Sequence, residues 1–120
     1  MENLLAFVIE DDKNLALAFA EALEEADYQV DVFFEGQSAK DSLEQRIPAI
    51  IILDLHIPNI KGTEILKYIR SDERLSNIRV IVATADNTLA KDLNSIADLV
   101  LLKPVGFKQL KDLAARLKPQ

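Results

Sequence analysis

"AIIILDLHIP", residues 49–58, sets three isoleucines and a leucine directly ahead of a carboxylate, with a proline four residues beyond it. An unbroken run of branched apolar residues this short suits a strand buried on both faces, as in a parallel sheet covered by helices. A strand at 49–53 would present Asp54 at its carboxyl end. Alone, Asp54 also reads as an ordinary turn residue. Its meaning depends on what the other strands bring to the same edge.

Upstream, "LLAFVIE" (4–10) reads as a strand, and Leu15, Phe19, Leu23 and Ala26 mark one face of a helix. "YQVDVFF" (28–34) alternates as a strand and ends at Gly36. A helix follows with Ala39, Leu43 and Ile47 on one side. Pro48 stops it, because the ring removes a donor and disfavours helical geometry in the preceding residue. Downstream, a loop with Pro58 and Gly62 leads into a helix carrying Ile65, Leu66 and Ile69. "IRVIVAT" (78–84) is a fourth strand, trailed by a polar helix with Leu89, Leu93 and Ile96. "DLVLL" (98–102) is a fifth, and Leu110, Leu113, Ala114 and Leu117 line a closing helix. Five strand–helix units predict an α/β fold, a doubly wound five-stranded parallel sheet whose ligands sit at the carboxyl ends of the strands.

With 120 residues, the chain is expected to form one domain, 1–120. At 49% apolar and 28% charged residues it can build a core while keeping a hydrated surface. Having no cysteine excludes disulfides and thiolate metal sites. The apolar runs are too short to span a bilayer and the N-terminus lacks a signal pattern, so a cytoplasmic location is expected. A net charge of -6 argues against a surface that tracks nucleic-acid phosphates.

The fold reading makes a test of the strand ends. After the first strand stand Glu10, Asp11 and Asp12; after the third, Asp54; Thr84 closes the fourth; Lys103, followed by Pro104, closes the fifth. Each has a structural explanation of its own: acids ahead of a helix cap it and favour its dipole, and a lone lysine is usually solvated. Together they are harder to explain that way. Two carboxylates about 4 Å apart repel by about 4 kcal/mol at an effective dielectric near 20. A cation or a pKa shift has to relieve this, and hard oxygen ligands favour magnesium or manganese over zinc. A carboxylate can also attack phosphorus to form an aspartyl phosphate, with an ammonium and a hydroxyl receiving the phosphoryl oxygens.

These motifs resemble the receiver domain of two-component response regulators, of the single-domain, chemotaxis-regulator-like kind. They are the acidic pair after strand one, "DLHIPNIKG" (54–62), "ATA" (83–85) and "LLKP" (101–104), in order over essentially the whole chain. The resemblance implies a flavodoxin-like (βα)5 sheet of order 2-1-3-4-5. It implies Asp54 as phosphoacceptor, supplied by a sensor histidine kinase or a histidine phosphotransfer protein. A Mg2+ ion (or Mn2+) would be held by Asp11 and Asp54, by Glu10 through water, and by the backbone carbonyl of His56. Thr84 would be the switch hydroxyl and Lys103 the phosphate-pairing lysine. Pro58 and Gly62 would be structural, Asp12 a helix cap, and the Lys103–Pro104 bond cis. Mg2+-dependent self-phosphorylation from phosphodonors and slow autodephosphorylation would follow, without the turnover of a conventional enzyme. The output would be switched contacts with a downstream protein or an attached output domain, with no direct contact to nucleic acid or membrane.

Two departures bear on the output. Val100 stands where the family often has an aromatic residue, and the stretch from Thr84 to Lys103 is about one helical turn short, with Ile96 in place of a common glycine. An alternative reading is a receiver-like module that signals by constitutive, phosphorylation-independent binding, which loss of pocket residues would support. A phosphatase with an aspartyl-phosphate intermediate is a third, but His56 occupies the place of its usual second acid.

Overall fold

The computed structural model describes residues 4–119. Its elements alternate: β1 (Leu4–Ile9), α1 (Lys13–Glu25), β2 (Tyr28–Phe33), α2 (Gly36–Gln45), β3 (Ile50–Leu53), α3 (Gly62–Ser71), β4 (Arg79–Thr84), α4 (Asn87–Leu93), β5 (Leu99–Leu102) and α5 (Phe107–Arg116), with one 3-10 turn at Glu73–Leu75. The strands form one sheet in the order β2-β1-β3-β4-β5. Every pairing is parallel: Leu4 faces Tyr28 and Ile9 faces Phe33, while Ala6 faces Ile50 and Ile9 faces Leu53. The predicted architecture and strand order are both present.

Period-two alternation divides the strands between two cores. Phe7, Ile9, Ile51, Leu53, Val80 and Val82 point to the face covered by α2, α3 and α4. Ala6, Val8, Ile50, Ile52, Ile81 and Ala83 point to the face covered by α1 and α5. Both faces of β3 are therefore buried, as its unbroken apolar run demands. The strand order reverses between β1 and β3, and the crevice at that switch point opens at their carboxyl ends.

Two sequence expectations need correction. The spacing of Ala39, Leu43 and Ile47 predicts one side of the second helix, but α2 ends at Gln45 and Ile47 is 51% exposed. Arg46 is already extended (φ -139°, ψ 152°), so the chain leaves helical geometry two residues ahead of Pro48. Ile96 was placed on the fourth helix, but α4 stops at Leu93. There the chain turns, so that Asp98 can exchange hydrogen bonds with Val80, its N–H donating to the Val80 carbonyl at 2.9 Å and its Oδ2 accepting from the Val80 N–H at 2.7 Å. Ile96 still packs on the core, from the turn. No helix among the described residues is long and apolar enough to cross a membrane.

Candidate functional site

Sheet register assembles the site before any side chain is considered. Pairing continues past the last strand residues, with Glu10 N–H donating to Phe33 O at 3.0 Å and Asp54 N–H to Ile9 O at 2.9 Å. Glu10 and Asp54 therefore emerge side by side from adjacent strands. On the other side, Lys103 N–H donates to Thr84 O at 2.8 Å, which brings the end of β5 against the end of β4. The Lys103–Pro104 peptide bond is cis.

The side chains converge. Glu10, Asp54 and Thr84 are 1%, 6% and 0% exposed, an unusual depth for two acids. The Lys103 ammonium donates to Glu10 Oε1 at 2.7 Å and lies 3.6 Å from Asp54 Oδ2. Glu10 Oε2 accepts the Asp12 N–H at 3.2 Å. Asp11 is exposed, yet carboxylate oxygens of Glu10, Asp11 and Asp54 lie within 4.8 Å of one another. Among the described residues, one ammonium meets a cluster of three acids.

The electrostatics follow from that imbalance. Burial pushes the Glu10 carboxyl above its ordinary value and the charge of Asp54 adds to this, against the lowering effect of the Lys103 hydrogen bond. For Lys103, burial acts downward but is outweighed by Glu10 and Asp54, which hold the ammonium above its ordinary value. The lysine is thus firmly charged, and the acids around it remain short of positive charge. An all-oxygen donor set in that condition fits a hard divalent cation.

The loop after Asp54 is tightly folded. Gly62 N–H donates to Leu55 O at 3.0 Å, and a Cβ on Gly62 would stand 2.3 Å from the Asp54 carbonyl oxygen, so only glycine lets the chain close here. The Pro58 carbonyl accepts from Gly36 and Ile60 N–H groups. Asn59, in left-handed geometry (φ 73°), donates through its side chain to Glu35. Glu35 also caps α2, and these hydrogen bonds, led by that with Ser38, pull its carboxyl down to about 2.

Asp12 caps α1 by accepting the Leu15 N–H at 3.1 Å, and is not drawn into the cluster. The His56 N–H lies 3.4 Å from Asp54 Oδ1, while its exposed imidazole turns away, Nε2 standing 3.3 Å from Asp86 Oδ2. Sequence reasoning overlooked Asp86. Its N–H donates to Thr84 Oγ1 at 3.0 Å and its Oδ1 accepts the Leu89 N–H at 3.0 Å. That last bond, with His56 adding to it, holds its carboxyl below the ordinary value. The signal was available, since an aspartate directly before a polar helical segment is a helix cap. A groove of about 400 Å³ opens beside the acids, bordered by Asp11, His56, Pro58, Lys61 and Leu89.

Comparison with known proteins agrees with this arrangement. The family model described as "Response regulator receiver domain" matches residues 6–115. Response regulator ArlR of Staphylococcus haemolyticus is 34% identical over 112 residues, covering 92% of this chain and 49% of ArlR. Phosphate regulon transcriptional regulatory protein PhoB of Rhizobium meliloti is 28% identical, covering 94% of this chain and 53% of PhoB. The chain thus spans about half the length of these curated relatives. The receiver domain of the Francisella response regulator 1452 superposes with a TM-score of 0.84 at 26% identity, covering 96% of each chain. With family match, strand order and a buried acid–lysine cluster at the switch point all in agreement, the chain belongs to the response regulator receiver domains of two-component signalling.

Proposed function

We propose that Asp54 is the phosphoacceptor of this receiver and takes its phosphoryl group from a phosphohistidine, on a sensor histidine kinase or a histidine phosphotransfer protein. The observation that supports this best is the company Asp54 keeps: a nearly buried carboxylate with Lys103 Nζ at 3.6 Å and two further acids within metal-binding reach. An Asp54 oxygen attacks phosphorus while the P–N bond to the donor imidazole breaks, and the departing imidazole takes up a proton. Lys103 is positioned to offset the charge carried by the phosphoryl oxygens. The Thr84 hydroxyl already accepts from the Asp86 N–H and keeps its own proton to donate.

Glu10, Asp11 and Asp54 would hold Mg2+ (Mn2+ being the other candidate), Glu10 through water, with the His56 backbone carbonyl completing the protein ligands. Bound there, the cation would neutralise negative charge on the transferred group. The protein works in the cytoplasm, and its output is a change of protein contacts, with a separate target or with an attached output domain. Loss of pocket residues would favour the phosphorylation-independent alternative, and the sequence retains Asp11, Asp54, Thr84 and Lys103.

The test is intact mass after incubation with Mg2+ and acetyl phosphate, wild type beside Asp54→Asn. One added phosphoryl group on the wild type and none on the variant is the expected result. Equal phosphorylation of both would remove Asp54 from the role.

A further inference from the structure

We propose that the His56–Asp86 contact is a latch across the mouth of the site, whose release passes the loading of Asp54 to the start of α4. The inference rests on Asp54 being the acceptor.

Asp86 is a hub with three functions at one residue. Its N–H is held by Thr84 Oγ1 at 3.0 Å, its Oδ1 caps α4 through Leu89 N–H at 3.0 Å, and its Oδ2 meets His56 Nε2 at 3.3 Å. His56 in turn sits two residues past the acceptor, and its own N–H is directed at Asp54 Oδ1. A closed chain of contacts therefore runs from Asp54 through His56, Asp86 and Thr84 back to the buried edge. His56 is needed only as a donor through Nε2, which the neutral ring supplies as well as the charged one.

A phosphoryl group on Asp54 brings about 1.5 to 2 negative charges into this ring of contacts. It offers the His56 imidazole a stronger acceptor than Asp86, it gives the free Thr84 hydroxyl proton an acceptor that draws Oγ1 away from the Asp86 N–H it holds, and it repels the Asp86 carboxylate. All three changes act in one direction, loosening Asp86 from the mouth of the site. The element Asp86 caps is poorly defended against this. Helix α4 has only seven residues, with Ala90 and Leu93 as its buried contacts. Short, lightly packed segments open first. β5 carries Val100, half-buried in the same core cluster as Leu89, so no aromatic ring on this strand is available to transmit the change. The latch supplies another route, built from side chains on the two loops themselves.

The experiment is 1H–15N and histidine-ring NMR of the whole protein, with and without Mg2+ and beryllofluoride as a stable phosphoryl stand-in. On loading, the His56 ring signals and the Asp86, Leu89 and Ala90 amides are expected to move together. Asp86→Asn keeps a side-chain oxygen for the Leu89 N–H but removes the carboxylate; His56→Asn removes the ring. Without beryllofluoride, both variants are expected to show α4 amides displaced from wild type along the line toward its loaded positions. Unloaded wild-type positions for α4 in both variants would overturn the latch. So would α4 amides that stay still on loading while those beside Asp54 and Lys103 move. If no amide responds, those next to Asp54 included, the acceptor assignment falls and takes the latch with it.

Discussion

At the amino edge of the sheet, Asp98 is met by two arginines: Arg70 at 2.8 Å on Oδ2 and Arg79 at 3.1 Å on Oδ1. Arg70 also donates to the carbonyls of Ile96 and Ile78, at 2.6 and 2.8 Å, so a single guanidinium ties α3 to the turns before β4 and β5. At the carboxyl edge, Lys103 is the one cation among the described residues that pairs with Glu10 and Asp54, and Asp11 adds a third carboxylate beside them. The amino edge also contains the larger cavity, about 790 Å³, but of the arginines beside it Arg70 and Arg79 are already held by Asp98, Arg70 by main-chain carbonyls as well, and Arg74 stands 3.7 Å from Asp72. Cavity size therefore does not locate the chemistry in this molecule. Charge that its neighbours fully satisfy holds structure together, whereas charge left in excess identifies the place that waits for a ligand.

That contrast can be put under strain from both ends. The largest effect should come from divalent cation at the carboxyl edge. Mg2+ at a hundredfold excess over its Kd is expected to stabilise the wild type by about 2.7 kcal/mol against urea, and Asp11→Asn far less at the same concentration. Equal stabilisation of both would mean that the crowded acids are not the binding site. Next comes the amino edge: Arg70→Ala should cost about 2 kcal/mol, because Asp98 and three carbonyls lose a partner that is itself largely buried. Mg2+ affinity measured by NMR titration should be unchanged in that variant. A matching loss of Mg2+ affinity would show that the two edges are not independent.

The smallest effect is confined to alkaline solution. Tyr28, at the amino end of β2, donates its hydroxyl to Ala114 O at 2.8 Å, and burial pushes its pKa up to about 12. A folded-state value above the ordinary 10 means that its stabilisation is complete below pH 10 and drains away as pH rises toward 12. Urea midpoints of Tyr28→Phe should accordingly fall less steeply across that interval than those of wild type. Parallel slopes would place the alkaline sensitivity elsewhere.

The carboxyl edge was readable in the sequence because strands announce where they end. "AIIIL" and "IRVIVAT" could be placed from their apolar runs, and whatever followed them had to share an edge. The amino edge was not readable. Arg70 is followed by twenty-seven residues before Asp98, and a charged residue on a helix ordinarily reads as solvated. The same holds for His56 and Asp86, whose meeting depends on two loops whose paths no periodicity describes. The overlong fourth helix had a related cause. Ile96 keeps helical spacing from Leu89 and Leu93, so the pattern ran on after the hydrogen bonds had stopped.

The order of the sheet also bears on how the chain comes together during synthesis. β1 precedes all the other strands in sequence, yet it lies inside the sheet, between β2 and β3. A nascent chain thus exposes its template strand early, and β2 and β3 can dock on either side of it before β4 and β5 have left the ribosome. Those late strands add outward from β3 alone, completing the Thr84 and Lys103 side of the pocket last. An acidic half-site would then exist first, and the lysine that balances it would arrive with the final strand.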